Sequence, residues 1–267
     1  MVEPTTVSFA GMDFDIVNDA AAPAIFVFGV RKSGSSIMNA MVASMAAFNQ
    51  VNYVDVAGQL FAKGITVAAW QNDAGIAGLL HGGNLFGGFR NAPLGLLGHP
   101  LLVSSKKILL VRDPRDALVS EYFSNAYSHS IPKAGEGRQL MLENRALALQ
   151  ASISEYVLRQ ATNFHTTLSE YRDFIALPEM RLYQYEDAIV NKRWFLRDIC
   201  EHFGWLVTDQ QLQQILGWAD IVPDEERPDE FVRKVTPGDH RDKLDPATIA
   251  QLNEALAPMM TELGYTA

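Results

Sequence analysis

Between residues 24 and 48 the hydrophobic period changes from that of a buried strand to that of a helix, across a short basic turn containing glycine. Residues 24–28 form a continuous apolar run ended by Gly29, the pattern of a strand covered on both faces. From Ser35 to about Phe48, Ile37, Met41, Met45 and Phe48 recur at helical spacing. The turn joining them is Val30-Arg31-Lys32-Ser33-Gly34, which runs into Ser35 and Ser36. A strand, a turn and a helix N-terminus in this order form an anion cradle: backbone N–H groups face the ligand and a lysine adds charge. The common triphosphate loop is G-x-x-x-x-G-K-[ST], with lysine directly after the second glycine. Here Gly29 and Gly34 keep the glycine spacing, but the lysine lies inside the loop as Lys32, and Ser35 takes its usual place. The displaced lysine predicts a ligand with a phosphate-like group and argues against a standard ATPase or GTPase.

The alternation continues downstream. Residues 51–56, 84–89, 107–111 and 180–185 read as further strands, and 114–124, 139–174, 188–203 and a last segment from Asp245-Pro246 to about Gly264 as helical. Pro114 suits a first helical turn, Gly204 a helix end, and the acidic, proline-bearing stretch 223–229 a loop. The predicted class is therefore α/β: a central, mostly parallel sheet flanked by helices in a P-loop-like three-layer architecture. No repeat or low-complexity linker divides the chain. One domain is expected over 1–267, with its core over 23–267 and an irregular or short-stranded lead-in over 1–22.

A net charge of −9 over 267 residues lacks the basic footprint of a nucleic-acid binder, so any anion site is a local cluster of cations on an acidic body. The single cysteine, Cys200, permits neither a disulfide framework nor a cysteine-based metal site within one chain. The acidic N-terminal stretch predicts no secretory leader, and Arg90, His81, His99 and two prolines interrupt the Gly- and Leu-rich stretch 74–103 as a membrane span. A reducing, cytoplasmic location is the resulting expectation. The segment 194–205, rich in aromatic residues, reads as core packing of a helix.

Two more basic clusters follow. Arg112-Asp113-Pro114-Arg115-Asp116 comes straight after a predicted strand, so Arg112 sits at the carboxyl end of the sheet, where open α/β folds bind ligands. Ser120 lies two helical turns further on, and a guanidinium with a hydroxyl can clasp one phosphate. The plainer alternative for Arg112 is a structural pair with Asp113 or Asp116. The third cluster, Phe231-Val232-Arg233-Lys234-Val235-Thr236-Pro237-Gly238-Asp239-His240-Arg241, reads as a loop with two adjacent cations and a glycine turn.

Taken together, these clusters resemble the PAPS-dependent sulfotransferase family, over about residues 24–265. The loop from Arg31 to Ser36 is similar to that family's 5′-phosphosulfate loop, P-K-S-G-T-T; Arg112 and Ser120 match its R-x7-S element for the 3′-phosphate. Arg233-Lys234 with Gly238-Asp239 resembles R-K-G-x-x-G-D-W, Tyr185-Glu186-Asp187 resembles the Y-E-D beside the adenine, and Leu263-Gly264-Tyr265 is a common family ending. The resemblance implies transfer of a sulfuryl group from 3′-phosphoadenosine-5′-phosphosulfate (PAPS), with PAP as product, to a hydroxyl or amine of a small-molecule acceptor. It further implies Lys32 at the bridging oxygen, Arg31 and Ser33, Gly34, Ser35 and Ser36 around the 5′-phosphate, and Arg112, Ser120, Arg233 and Lys234 on the 3′-phosphate. Neither role calls for a metal. The chain departs from the pattern at Val235, where glycine is usual, and at His240, where tryptophan is usual. The K-T-H of cytosolic members is absent as well: its counterpart is Phe89-Arg90-Asn91-Ala92-Pro93. His99 and His129 are the candidate bases, with an acidic residue as the other option. The stretches 57–100 and 125–145 would form an acceptor pocket, whose composition suits an apolar alcohol or lipid. The rival readings are a variant P-loop kinase or nucleotidase, using the acid after Arg112 for magnesium, and a non-catalytic nucleotide-binding relative.

Overall fold

The structure, a computed structural model, describes residues 3–230 and 232–266; Phe231 of the third cluster lies outside the described residues. The chain opens with an antiparallel hairpin, β1 (Thr5–Phe9) and β2 (Met12–Ile16). The core follows in the order β3 (Ile25–Gly29), α1 (Ser35–Phe48), β4 (Asn52–Asp55), α2 (Val56–Ala62), β5 (Asn84–Phe89), α3 (Pro100–Ser104), β6 (Lys106–Val111) and α4 (Pro114–Phe123). It continues with α5 (Glu136–Gln150), α6 (Ile153–Glu170), α7 (Arg172–Ile175), β7 (Met180–Gln184), α8 (Tyr185–Ala188), α9 (Lys192–Phe203), α10 (Asp209–Ala219), α11 (Asp239–Lys243) and α12 (Pro246–Glu262). Strands β4-β5-β3-β6-β7 form one parallel sheet in that order. Because all five run the same way, their following residues emerge along a single edge.

Strand alternation sorts the core into two layers. Phe26 and Phe28 of β3 join Phe86, Leu109 and Val111 on the face covered by α4, α6 and α12. Ile25 and Val27 join Leu85, Ile108, Leu110 and Tyr183 on the face covered by α1, α9 and α10. The lead-in is tied to the sheet by Asn84, whose side chain bonds the N–H and C=O of Val17 at 3.0 and 2.7 Å.

Some boundaries differ from the expected ones. The helix predicted over 188–203 is two pieces, because Asn191 caps α9 through the Trp194 N–H. The helix-rich stretch 139–174 breaks at Ser152, which forms a capping box with Glu155 at the start of α6. Trp205 is buried as expected, whereas Trp194 is about half exposed, its ring edge-on to Tyr183. At the lower edge of the sheet Lys107 is fully buried and donates to the carbonyls of Val103, Ser105 and Pro178.

Candidate active site

The turn after β3 is held by its own backbone. Val30 N–H continues the sheet to Leu110 O at 3.0 Å, and both the N–H and hydroxyl of Ser33 return to Val30 O, at 3.2 and 2.6 Å. Ser33 is wholly buried, so its hydroxyl is committed to the turn and does not face a ligand. Gly29 is needed because a Cβ there would lie 2.6 Å from Ser35 Cβ. Gly34 adopts φ +82°, and a Cβ on it would press on the Tyr185 ring. Helix α1 starts at Gly34 with no side-chain cap and no acid in its first turn, which leaves its N-terminal amides and partial positive charge for an anion. The β5 strand reaches the same place through a bulge: Gly88 N–H donates to Asn39 Oδ1 at 2.8 Å, and Arg90 then donates to the Ser36 hydroxyl at 3.1 Å.

Lys32 adopts φ +65°, the left-handed conformation that side-chain-bearing residues rarely take. Burial lowers its pKa to about 8; Glu121 pushes it up, while Arg112, Arg90 and Arg233 push it down. The neighbouring Arg31 turns the other way. Its Nε lies 2.8 Å from Glu121, its Nη1 donates to Thr167 at 3.2 Å, and its guanidinium covers the Phe164 ring at 4.9 Å. Nε and Nη1 are thus directed into α4 and α6, while the buried Nη2 has no hydrogen-bond partner among the described residues.

Arg112 is 6% exposed and meets three of the elements implied by sequence. It donates to Lys32 O at 3.4 Å, stacks over Tyr185 at 4.3 Å, and sits 3.8 Å from Asp116. Its buried Nε has no hydrogen-bond partner among the described residues. Tyr185 in turn donates to Val235 O at 2.9 Å, so this buried ring joins the loop, Arg112 and the third cluster. Glu186 accepts from Asp113 N–H at 3.0 Å and from the Tyr265 hydroxyl at 2.7 Å, which ties the chain end to β6. Ser120 lies half-buried on the second turn of α4, next to Glu121.

Asp116 anchors the third cluster. It accepts from Gly238 N–H (2.6 Å), His240 N–H (2.9 Å) and His240 Nδ1–H (2.6 Å). Burial raises its pKa, but these bonds and Arg112 outweigh that effect and leave it at about 2. The cations that this anchor presents are already neutralised. Arg233 pairs with Glu226 and Asp239 and stacks on Phe123; Lys234 pairs with Asp239 and Asp242; Lys243 pairs with Glu226.

The two histidines separate. His99 caps α3, its Nδ1 accepting from Leu101 N–H at 3.2 Å. Helix α3 leads into the start of β6, at the sheet edge opposite the loop, so His99 is removed from the candidate bases. His129 ends a π-helical turn after α4, with its ring against Phe61 and its Nδ1 2.8 Å from Ser130 O. Its pKa is lowered by burial and by the charges of Lys32, Arg90 and Arg145, with the Ser130 bond opposing. Arg145 of α5 fixes it from behind by donating to its carbonyl at 2.8 Å. The backbone beyond it crosses the end of α2 at Gly64, whose carbonyl accepts from Gly137 N–H at 2.8 Å. Sequence reasoning missed Arg90, Glu121 and Glu226 as parts of the site and gave Asp116 only as a structural partner of Arg112. Arg90 had a signal, a cation ending an apolar strand; Glu121 and the His240 side of Asp116 matter through partners distant in sequence, and Glu226 through Arg233 and Lys243 nearby.

Comparison with known proteins bears on the fold and the family. A sulfotransferase domain model matches residues 92–264, about two thirds of the chain, beginning after the Lys32 loop. No curated protein sequence matches the chain. A mouse sulfotransferase complexed with PAP is similar in structure, at 12% identity over 96% of this chain and 94% of that one, with a TM-score of 0.59. Retinol dehydratase in complex with retinol and PAP is similar at 15% identity over 96% and 89%, with a TM-score of 0.57. At such identities these two likenesses speak for the fold, and the domain match speaks for the family: the chain belongs to the sulfotransferase domain family.

Proposed function

We propose that this protein transfers a sulfuryl group from PAPS to a hydroxyl or amine of a small-molecule acceptor, with Lys32 at the leaving oxygen and His129 as base. The observation that carries the reading is the convergence of Lys32, the uncapped α1 N-terminus and Arg112 on one sheet edge, with a buried Arg112 Nε that no group among the described residues satisfies. An orphaned buried donor fits a second phosphate. The structurally similar mouse sulfotransferase and retinol dehydratase both hold PAP, which supports PAPS as the donor.

In the reaction the sulfur–oxygen bond to the 5′-phosphate breaks as one to the acceptor forms. The Lys32 ammonium neutralises charge growing on the departing phosphate oxygen, a role that depends on preorganisation and electrostatics. Because His129 Nδ1–H is held by Ser130 O, Nε2 carries the free lone pair that takes the acceptor proton. Arg112, Ser120, Arg233 and Lys234 would hold the 3′-phosphate, and Ser35, Ser36 and the α1 amides the 5′-phosphate. Phe61 beside His129 favours an apolar acceptor, and retinol dehydratase, a structural neighbour, was also crystallised with androsterone. The kinase reading is disfavoured because Asp113, the acid it needs, has both oxygens on the Arg115 guanidinium at 3.0 and 2.7 Å.

The test is ligand binding: adenosine 3′,5′-bisphosphate should raise the melting temperature, and ATP with magnesium should not match it. Stabilisation by ATP–magnesium alone would overturn the assignment. Among the described residues no helix is long and apolar enough to cross a membrane.

A further inference from the structure

We propose that Arg31 and Glu121 form a positioning pair for Lys32, holding the lysine's backbone and its ammonium in place without touching the cofactor. This inference rests on the role given to Lys32 above. Its first ground is the left-handed backbone at Lys32, a conformation that persists only where the surroundings over-determine it. Those surroundings are visible on three sides. Ser33 closes the turn onto Val30 O, and Arg112 binds the Lys32 carbonyl. On the upstream side Arg31 is fastened by Glu121, Thr167 and Phe164, which belong to two helices on the far side of the loop.

The second ground is the residue type. Residue 31 is an arginine whose side chain meets Glu121, Thr167 and Phe164, three contacts that restrain the backbone directly before Lys32. The arginine then needs a buried counter-charge, which Glu121 supplies. The two side chains are 21% and 11% exposed, and among the described residues Glu121 Oε2 has no aligned hydrogen bond, so the pair acts mainly through charge. Tyr156 reaches the other oxygen at 3.4 Å and is itself held by Asn125 at 2.7 Å.

The third ground is the charge around the lysine. Arg90 at the end of β5, Arg112 at the end of β6 and Arg233 before α11 all oppose a further cation; Glu121 on α4 is the anion that offsets them. His129, after α4, feels the Lys32 charge as well. One carboxylate thus balances Arg31 on one side and supports Lys32 on the other.

The experiment compares Arg31→Met, Glu121→Gln and Glu121→Asp with the wild type. Affinity for PAP is measured by calorimetry, and the Lys32 titration is followed by NMR after 13C reductive methylation of lysines. Arg31→Met and Glu121→Gln should each keep PAP affinity within about threefold, because neither residue meets the ligand. Glu121→Gln should move the Lys32 midpoint down from about 8 by enough to cut its ammonium-to-amine ratio about tenfold, and Glu121→Asp should recover most of it. Should Glu121→Gln fail to fold, Glu121→Asp still reports, with a smaller displacement in the same direction. A loss of PAP affinity of about tenfold or more in Arg31→Met would place Arg31 on the cofactor and overturn the proposal. An unmoved Lys32 midpoint in both Glu121 variants would do the same. Wild-type transfer by Lys32→Ala would instead refute the role of Lys32, and leaves the titration result standing on its own.

Discussion

Asp116 offers the most quantitative handle on the site. It is 1% exposed and holds α11 and the preceding cations against α4 through three bonds from Gly238 and His240. Its carboxyl, held at about 2 in the fold against an ordinary 3.8, contributes about 2 kcal/mol of stability while ionised. The folded pKa lies below the unfolded one, so this contribution is fully present above about pH 5 and disappears as the pH falls through 3.8 toward 2. Asp116→Asn removes the charge and keeps the size. In urea unfolding the variant should be about 2 kcal/mol less stable than wild type at pH 7, and the gap should narrow steadily below pH 4. Affinity for PAP should fall in parallel, since the same oxygens place Arg233 and Lys234. Equal stability at pH 7, or a gap that does not change between pH 7 and pH 3, would refute the reasoning.

Other expectations follow from the same geometry. Lys32→Ala should cut sulfuryl transfer roughly hundred- to thousandfold while PAP still binds, as measured by radiolabelled transfer and calorimetry. Transfer should fall as the pH rises through about 8, where Lys32 loses its proton, and should fall again below the lowered His129 pKa; a pH–rate profile checks both limbs. Glu226→Gln should tighten PAP binding several-fold, roughly 1 kcal/mol, by removing a carboxylate that occupies Arg233 and Lys243. Lys107→Met should cost about 2–4 kcal/mol in thermal unfolding, because the carbonyls of Val103, Ser105 and Pro178 lose the donor they share.

The sheet was legible because its strands are short apolar runs, and a covered parallel strand has no other sequence pattern. The Lys32 loop was legible because strand, glycine turn and helix carry three different local signals in a row. What escaped was decided by side chains meeting across the fold. Arg31 reads as one more loop cation until Glu121 and Thr167, far along the chain, draw it toward α4 and α6. His99 and His129 look alike as isolated histidines, and only the position of α3 at the far sheet edge tells them apart. The break at Asn191 was hidden because a cap is a single hydrogen bond, while the apolar period runs on past it.

The carboxylate pairing of Arg233, Lys234 and Lys243 has a consequence for how an anion arrives. A bare cationic groove on a body of charge −9 would attract phosphates over a distance and lose that pull in salt. Here each of these cations already has an anionic partner, so a phosphate must take the place of one. The clamp behaves as an ion exchanger. Binding through it trades one pair for another, with little net release of counterions, and its affinity should vary only weakly with ionic strength. Chloride and inorganic phosphate, which bring charge but no adenosine to hold them, gain little from such a trade.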